Sequence, residues 1–134
     1  ISLRPGVLHL LDFIKRRGGL SVIHTDGRSV TQRLKIKALG LNNLPKFISE
    51  DYQEVKPAQG RLVKIENQFQ RKYHVYVGDN PAKDFLGPNQ RGWTTFCIRA
   101  QENNIHSQDC SSLSLDYFPN YWVDEILTIK DFVR

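Results

Sequence analysis

The sequence predicts an α/β fold, a Rossmann-like three-layer sandwich on a mostly parallel sheet. Three observations carry this. Short runs rich in β-branched and aromatic residues, at Leu20–His24, Phe47–Ser49, Tyr73–Val77 and Trp93–Ile98, alternate with segments of helical period. The clearest of them, ending in Val75-Tyr76-Val77, is apolar rather than alternating, as a strand covered on both faces is. Polar residues follow strands directly at Thr25 and Asp79, and open α/β sheets bind ligands beyond the carboxyl ends of their strands.

Each element has a local reason. Pro5-Gly6 opens a helix whose apolar face is Val7, Leu8, Leu10, Leu11, Phe13 and Ile14, and Gly18-Gly19 stops it. Leu20–His24 is a short buried strand, followed by the turn Thr25-Asp26-Gly27. Ser29 and Gln32 have capping-box spacing, so a helix runs from there to Leu39, with Gly40 past its end. Phe47-Ile48-Ser49 is a second strand. Pro57 begins a helix through Leu62, Ile65 and Phe69. After the strand Tyr73–Val77, Asn80-Pro81 is an N-cap with proline at the first helical position, which puts Asp84 one turn into a helix. Gly87-Pro88 ends or kinks that helix, and Trp93–Ile98 is a strand. Residues 99 to 121 form a polar connection without period, and Trp122-Val123 with a helix-like Asp124–Val133 closes the chain.

At 134 residues the chain has the length of one domain, expected over 1–134. No apolar run approaches the roughly 20 residues that span a bilayer, so no membrane partner is expected. Cys97 and Cys110 lack metal-ligand spacing and read as free thiols of a reducing cytoplasm. The formal charge of +5 is scattered over Arg16-Arg17, Arg33-Lys35-Lys37 and Arg71-Lys72 without interleaved aromatics. That pattern is a solvated surface, not a nucleic-acid groove. His9, His24, His74 and His106 fall singly and read as structural or exposed. No serine lies in a nucleophile elbow and no glycine-rich nucleotide loop is present.

Three groups at strand ends can carry chemistry. The hydroxyl of Thr25, with the backbone of Asp26 and Gly27 leading into a helix, can hold a phosphate or carboxylate; the same residues also read as a polar capping turn. Lys56, before Pro57, lies at a loop-to-helix junction from which a lysine reaches an anion or simply meets solvent. Asp79 and Asp84 offer oxygen ligands of the kind Mg²⁺ takes while keeping positions open for phosphate oxygens.

In order and spacing these three groups resemble motifs of the haloacid dehalogenase (HAD) superfamily of phosphohydrolases. "LSVIHTDGRS" is similar to its second motif, "VKPAQG" to its third and "HVYVGDNPAKDF" to its acidic fourth, GDxxxD. The flanking "RPGVLHLLDFIKRRG", "QRLKIKALGL" and "RGWTTFCIR" agree, so the resemblance spans about residues 4 to 100 and returns weakly at "YWVDEILTIKDF". The resemblance implies Mg²⁺-dependent hydrolysis of a small phosphorylated metabolite through an aspartyl-phosphate. Thr25 would bind the transferred phosphoryl oxygens, and Lys56 would neutralise the charge of nucleophile and phosphate. Asp79, supported by Asp84, would hold the metal.

The family's first motif, DxDx[TV], which carries the nucleophile, does not occur in these residues. The segments between Thr25 and Lys56 and between Lys56 and Asp79 are too short to hold a cap domain. The sequence therefore reads as a partial core domain, a fragment whose first motif is supplied by an N-terminal segment or by a second chain; the alternative is a non-catalytic domain that binds phosphate or a partner protein. Asp26 departs from the family's more usual Asn and adds negative charge to the turn. Without a central strand, Leu20–His24 and Tyr73–Val77 would flank a gap with unpaired edges. The isolated 134-residue chain is therefore expected to be marginally stable, or to fill the gap by rearranging or by pairing with another chain. Calorimetry combined with sedimentation tests this, and a cooperative transition from a monomer counts against it.

Overall fold

A computed structural model describes residues 2–99 and 107–133. The chain divides into two compact units, Ile1–Val55 with Glu125–Arg134, and Lys56–Asp124.

In the first unit, helix α1 (Val7–Arg16) starts from Gly6 at φ 89° and ends on Lys15 and Arg16, cations suited to a helix C-terminus. Gly6 is required twice over: its φ is left-handed, and a Cβ there would lie 2.8 Å from Leu127 Cγ. Leu127 belongs to a 3₁₀ helix, Ile126–Phe132, which packs on α1. Strand β1 (Ile23–Thr25) pairs in parallel with β2 (Lys46–Ile48), with Thr25 opposite Ile48. Helix α2 (Ser29–Ala38) connects them, and the single turn α3 (Ser49–Tyr52) follows β2 at once. Leu10, Ile36, Phe47, Ile48 and Ile129 are buried.

The second unit carries α4 (Gly60–Phe69), β3 (Val75–Gly78), α5 (Leu86–Gln90), β4 (Thr94–Ile98) and β5 (Tyr121–Val123). Its sheet has the order β3-β4-β5, all parallel, with Gly78 opposite Cys97 and Cys97 opposite Trp122. Leu62, Ile65, Tyr76, Phe85, Trp93, Phe96 and Ile98 form its core. Glu66 on α4 accepts from Arg91 and from Trp93 Nε1 (2.7 Å), and the Arg91 hydrogen bonds hold its carboxyl below the usual range. Strand β3 buries Tyr76 but leaves Val75 41% and Val77 37% exposed, so one of its faces is uncovered. Among the described residues every strand pairing is parallel, which makes this an α/β fold, and both sheets are small and incomplete. Among the described residues no helix is long and apolar enough to cross a membrane, and Cys97 and Cys110 are free thiols.

Several local expectations are corrected. The capping box does not form: Ser29 is already helical, its N–H donates to Glu50 Oε1 (2.9 Å), and its hydroxyl accepts from Arg33 Nε. A carboxylate from α3 thus caps α2 in place of the local hydroxyl. The helix after Pro57 begins only at Gly60. Residues 80 to 84 make a turn, not a helix, because the Asp84 carboxylate folds back on the turn's own amides. Gly87-Pro88 lies inside α5 instead of ending it. Pro88 falls in the first turn, where a helix N–H has no internal partner to lose. The closing Asp124–Val133 segment is a 3₁₀ helix over Ile126–Phe132. Of the expected aperiodic connection, residues 107 to 120 hold one 3₁₀ turn, Leu115–Tyr117, while His106 lies outside the described residues.

That turn is tied to the sheet by asparagines. Thr95 N donates to Asn120 Oδ1 (2.8 Å), Asn120 N donates to Thr95 Oγ1 (2.9 Å), and Thr95 Oγ1 donates to Asn89 Oδ1 (2.8 Å). Asn89 Nδ2 in turn donates to the carbonyls of Asp116 and Phe118. Asn120 thus stands in for ladder bonds one residue before β5 begins. Replacing Asn120 by Ala strands the N–H of Thr95, a residue with no exposed surface, and should cost about 1–3 kcal/mol. Urea unfolding measures it, and a change within error would mean that this network contributes nothing.

Candidate functional site

Strand β1 ends at Thr25, whose hydroxyl donates to Gln32 Oε1 (3.0 Å). The turn that follows is held by Ser49: its Oγ accepts from Gly27 N (2.8 Å) and donates back to the Gly27 carbonyl (3.2 Å). Gly27 has φ 143°, and a Cβ there would lie 2.6 Å from Gln32 Nε2, so only glycine lets the glutamine cross the turn. Thr25, Asp26 and Gly27 therefore form one ordered turn at the carboxyl end of β1. The Gly27 N–H is engaged by Ser49 and the Ser29 N–H by Glu50, so an anion here would be met first by the Thr25 hydroxyl. An open cavity of about 380 Å³ lies beside the turn, lined by Gly27, Ser49, Glu50, Gln53, Glu54 and Val55.

In the second unit, Lys56, Asp79 and Asp84 come together. Lys56 Nζ donates to Asp84 Oδ1 at 2.9 Å, and the two side chains are only 16% and 6% exposed. Asp84 Oδ2 accepts from the backbone N–H groups of Asp79 (3.0 Å) and Asn80 (2.9 Å). A carboxylate so placed needs these partners, because a buried charge without them is costly. Asp79 sits at the tip of β3, on the turn that Asp84 fixes. Tyr76 shares a side-chain hydrogen bond with Lys56, whose Nζ lies 5.8 Å from the ring centroid. Burial opposes the Lys56 charge, but the Tyr76 hydroxyl and the Asp84 carboxylate more than offset it, so the ammonium holds its proton well above the ordinary lysine range. Burial pushes the Tyr76 phenol up to about 12, which keeps it neutral.

Four contributors are not foreseeable from the sequence. Gln32 has the spacing of a cap and instead accepts from Thr25. Ser49, at the end of a strand-like run, holds the Gly27 turn. Tyr76 fits a core position, which it fills, and it also meets Lys56. Gln108 Nε2 donates to the carbonyls of Asp79 and Ile98, both at 2.8 Å, joining the ends of β3 and β4. Only Tyr76 carries a signal, as the one polar atom within an apolar strand.

As for cations, no group of three or more His, Cys, Asp or Glu side chains is gathered among the described residues. Mg²⁺ needs only one or two protein carboxylates, since it keeps water and substrate phosphate in its shell. Both oxygens of Asp84 already meet N–H donors, which fits it to order Asp79 more than to bind the ion itself.

No protein-family model matches this chain, and no curated protein does. Solved structures share its fold, two of them as follows. One is an HAD phosphatase from Thermococcus onnurineus, with a TM-score of 0.77 at 20% identity over 97% of this chain and 57% of that one. The other is a putative HAD-hydrolase, YfnB from Bacillus subtilis, bound to magnesium, with a TM-score of 0.70 at 18% identity over 96% of this chain and 56% of that one. The fold is thus HAD-like, and the chain spans a little over half the length of the structures it matches.

The Asp84 arrangement depends on Gly78, where a Cβ would lie 2.5 Å from Asp84 Oδ2 and 2.9 Å from Asp84 Cβ. Gly78→Ala should therefore destabilise by about 1–3 kcal/mol and expel the carboxylate from the turn. Hydrogen exchange reads the second effect directly: the Asp79 and Asn80 amides should lose protection, and amides as protected as in wild type would contradict this packing.

Proposed function

We propose that this chain is the core portion of a Mg²⁺-dependent HAD-type phosphatase acting on a small phosphorylated metabolite. The observation that carries the reading is the carboxylate of Asp84, which binds Lys56 with one oxygen and the Asp79–Asn80 turn with the other. The HAD-like fold supports it, since two solved structures that share it are a phosphatase and a putative hydrolase bound to magnesium.

The roles follow from the chemistry of each group. Lys56 holds a full positive charge at a fixed point, suited to a phosphoryl oxygen or to the charge that develops on one. The Thr25 hydroxyl exchanges its glutamine acceptor for a phosphoryl oxygen, within the turn of Asp26 and Gly27. Asp79 would hold Mg²⁺, with Asp84 ordering it, and the ion would supply charge neutralisation at the phosphoryl group. The nucleophile is an aspartate of a segment not among these residues, N-terminal or on a second chain, which would seat a strand against the free edge of β3. The absence of DxDx[TV] also favours a second reading, a non-catalytic domain that binds phosphate or a partner. The two part at turnover: joined to a DxDx[TV] segment, the first hydrolyses a phosphate ester and the second only binds it.

Calorimetric titration tests the assignments one by one. Asp79→Ala should abolish Mg²⁺ binding, and unchanged affinity would remove the metal site from this reading. Lys56→Ala should weaken binding of inorganic phosphate by about tenfold or more, the loss of one charge-assisted hydrogen bond.

A further inference from the structure

Tyr76 lies on β3 and is 6% exposed. Its ring stands edge-on to Phe85, with centroids 6.4 Å apart at 88°, and tilted to Trp93, 6.4 Å away at 48°. Phe85 has no exposed surface and Trp93 is 7% exposed, so the phenol has little room to turn. Lys56 Nζ lies 5.8 Å from the centroid of this ring, within reach of the hydroxyl on its rim, with which it shares a side-chain hydrogen bond. A buried tyrosine hydroxyl needs a polar partner, and here that partner is the lysine.

From this geometry we infer that Tyr76 is a positioning residue: its hydroxyl fixes the Lys56 ammonium as the second of two anchors, of which Asp84 is the first. A lysine stem has four rotatable carbons and a point charge with three donors, so one salt bridge alone leaves it free to pivot. Two acceptors on separate elements, β3 and the turn after it, remove that freedom. The hydroxyl is neutral, so it places the charge without cancelling it. A second carboxylate there would neutralise the lysine and weaken any attraction for an anion. The inference rests on the proposed role of Lys56 for its use, though not for its geometry.

Tyr76→Phe removes one oxygen and keeps the ring that packs on Phe85 and Trp93. Proton–nitrogen NMR tuned to lysine ammonium groups, with the Lys56 signal assigned by its loss in Lys56→Arg, reads the anchor without any need for turnover. A sharp Lys56 ammonium signal is expected in the wild-type chain. In Tyr76→Phe it should broaden or vanish as exchange with water rises about tenfold, the loss of one hydrogen bond to a charged group. Unfolding by urea confirms that the variant is folded, and Tyr76→Leu should give the same loss if the hydroxyl is what matters. A Lys56 signal unchanged in folded Tyr76→Phe, or no protected signal in wild type, overturns the inference. Titration with inorganic phosphate separates this from the functional reading. If the signal responds to Tyr76→Phe while wild type binds no phosphate, the anchor stands and the phosphatase role of Lys56 falls.

Discussion

The Asp84 carboxylate is the constraint on which the second unit's candidate chemistry depends. It is buried, and its two oxygens do different things. One holds the ammonium of Lys56, and the other gathers two consecutive backbone amides. The turn also closes through its own backbone, since Asp84 N donates to the Asn80 carbonyl at 2.8 Å and Lys83 N does so at 3.0 Å. Side chain and main chain thus fix the same few atoms from both ends. The lysine, 28 positions earlier in sequence, is drawn to this turn because a buried carboxylate needs a cation nearby more than it needs any particular neighbour in the chain. Gly78 is the sequence's concession to this, a residue with no side chain where the carboxylate lies flat on the strand.

Order along the chain was legible where the signal was local. The strands at Ile23–Thr25, Lys46–Ile48, Val75–Gly78 and Thr94–Ile98 fall on or beside the apolar runs that predicted them, because a short β-branched run has few other ways to be buried. The placement of Thr25, Lys56 and Asp79 after strands or at a loop junction was legible for the same reason. What was not legible is what each remote side chain does for the backbone. Glu50 caps a helix 21 positions earlier, Ser49 holds a turn 22 positions earlier, and Asn120 continues a ladder 25 positions earlier. None of these has a sequence spacing that distinguishes it from a solvated polar residue. The capping box at Ser29 failed because a distant carboxylate, Glu50, took the N–H that Gln32 would have claimed, and the helix expected from Asn80 is a turn in which the Asp84 carboxylate holds the amides of Asp79 and Asn80.

The β3 strand shows how an α/β sheet and a site can share residues. Its alternation sends Tyr76 inward and Val75 and Val77 outward, and its last residue is Gly78. The inward residue is aromatic enough to fill the core and polar enough at its tip to meet Lys56. The outward valines are apolar yet exposed, and among the described residues β3 is an edge strand.

The state of Lys56 gives the site its electrostatic character. A group whose folded value is raised contributes stability that is fully present below its unfolded value, near 10.4 for lysine, and loses it as pH rises through the folded value. The Lys56 contribution is therefore intact throughout the neutral range, and its charge does not switch there. Tyr76 does not switch either, because burial keeps its phenol protonated up to about 12. An anion arriving at this cluster at neutral pH meets the fixed positive charge of Lys56, the neutral Tyr76 hydroxyl, the Asp79 side chain and an Asp84 carboxylate that already accepts from three N–H donors. Asp84 then repels it less than its formal charge suggests, because that charge is shared with Lys56 and with two backbone amides. On the proposed phosphatase reading, a cluster acidic by composition would receive a phosphate in this way, because the carboxylate that orders it is already engaged by Lys56 and two backbone amides.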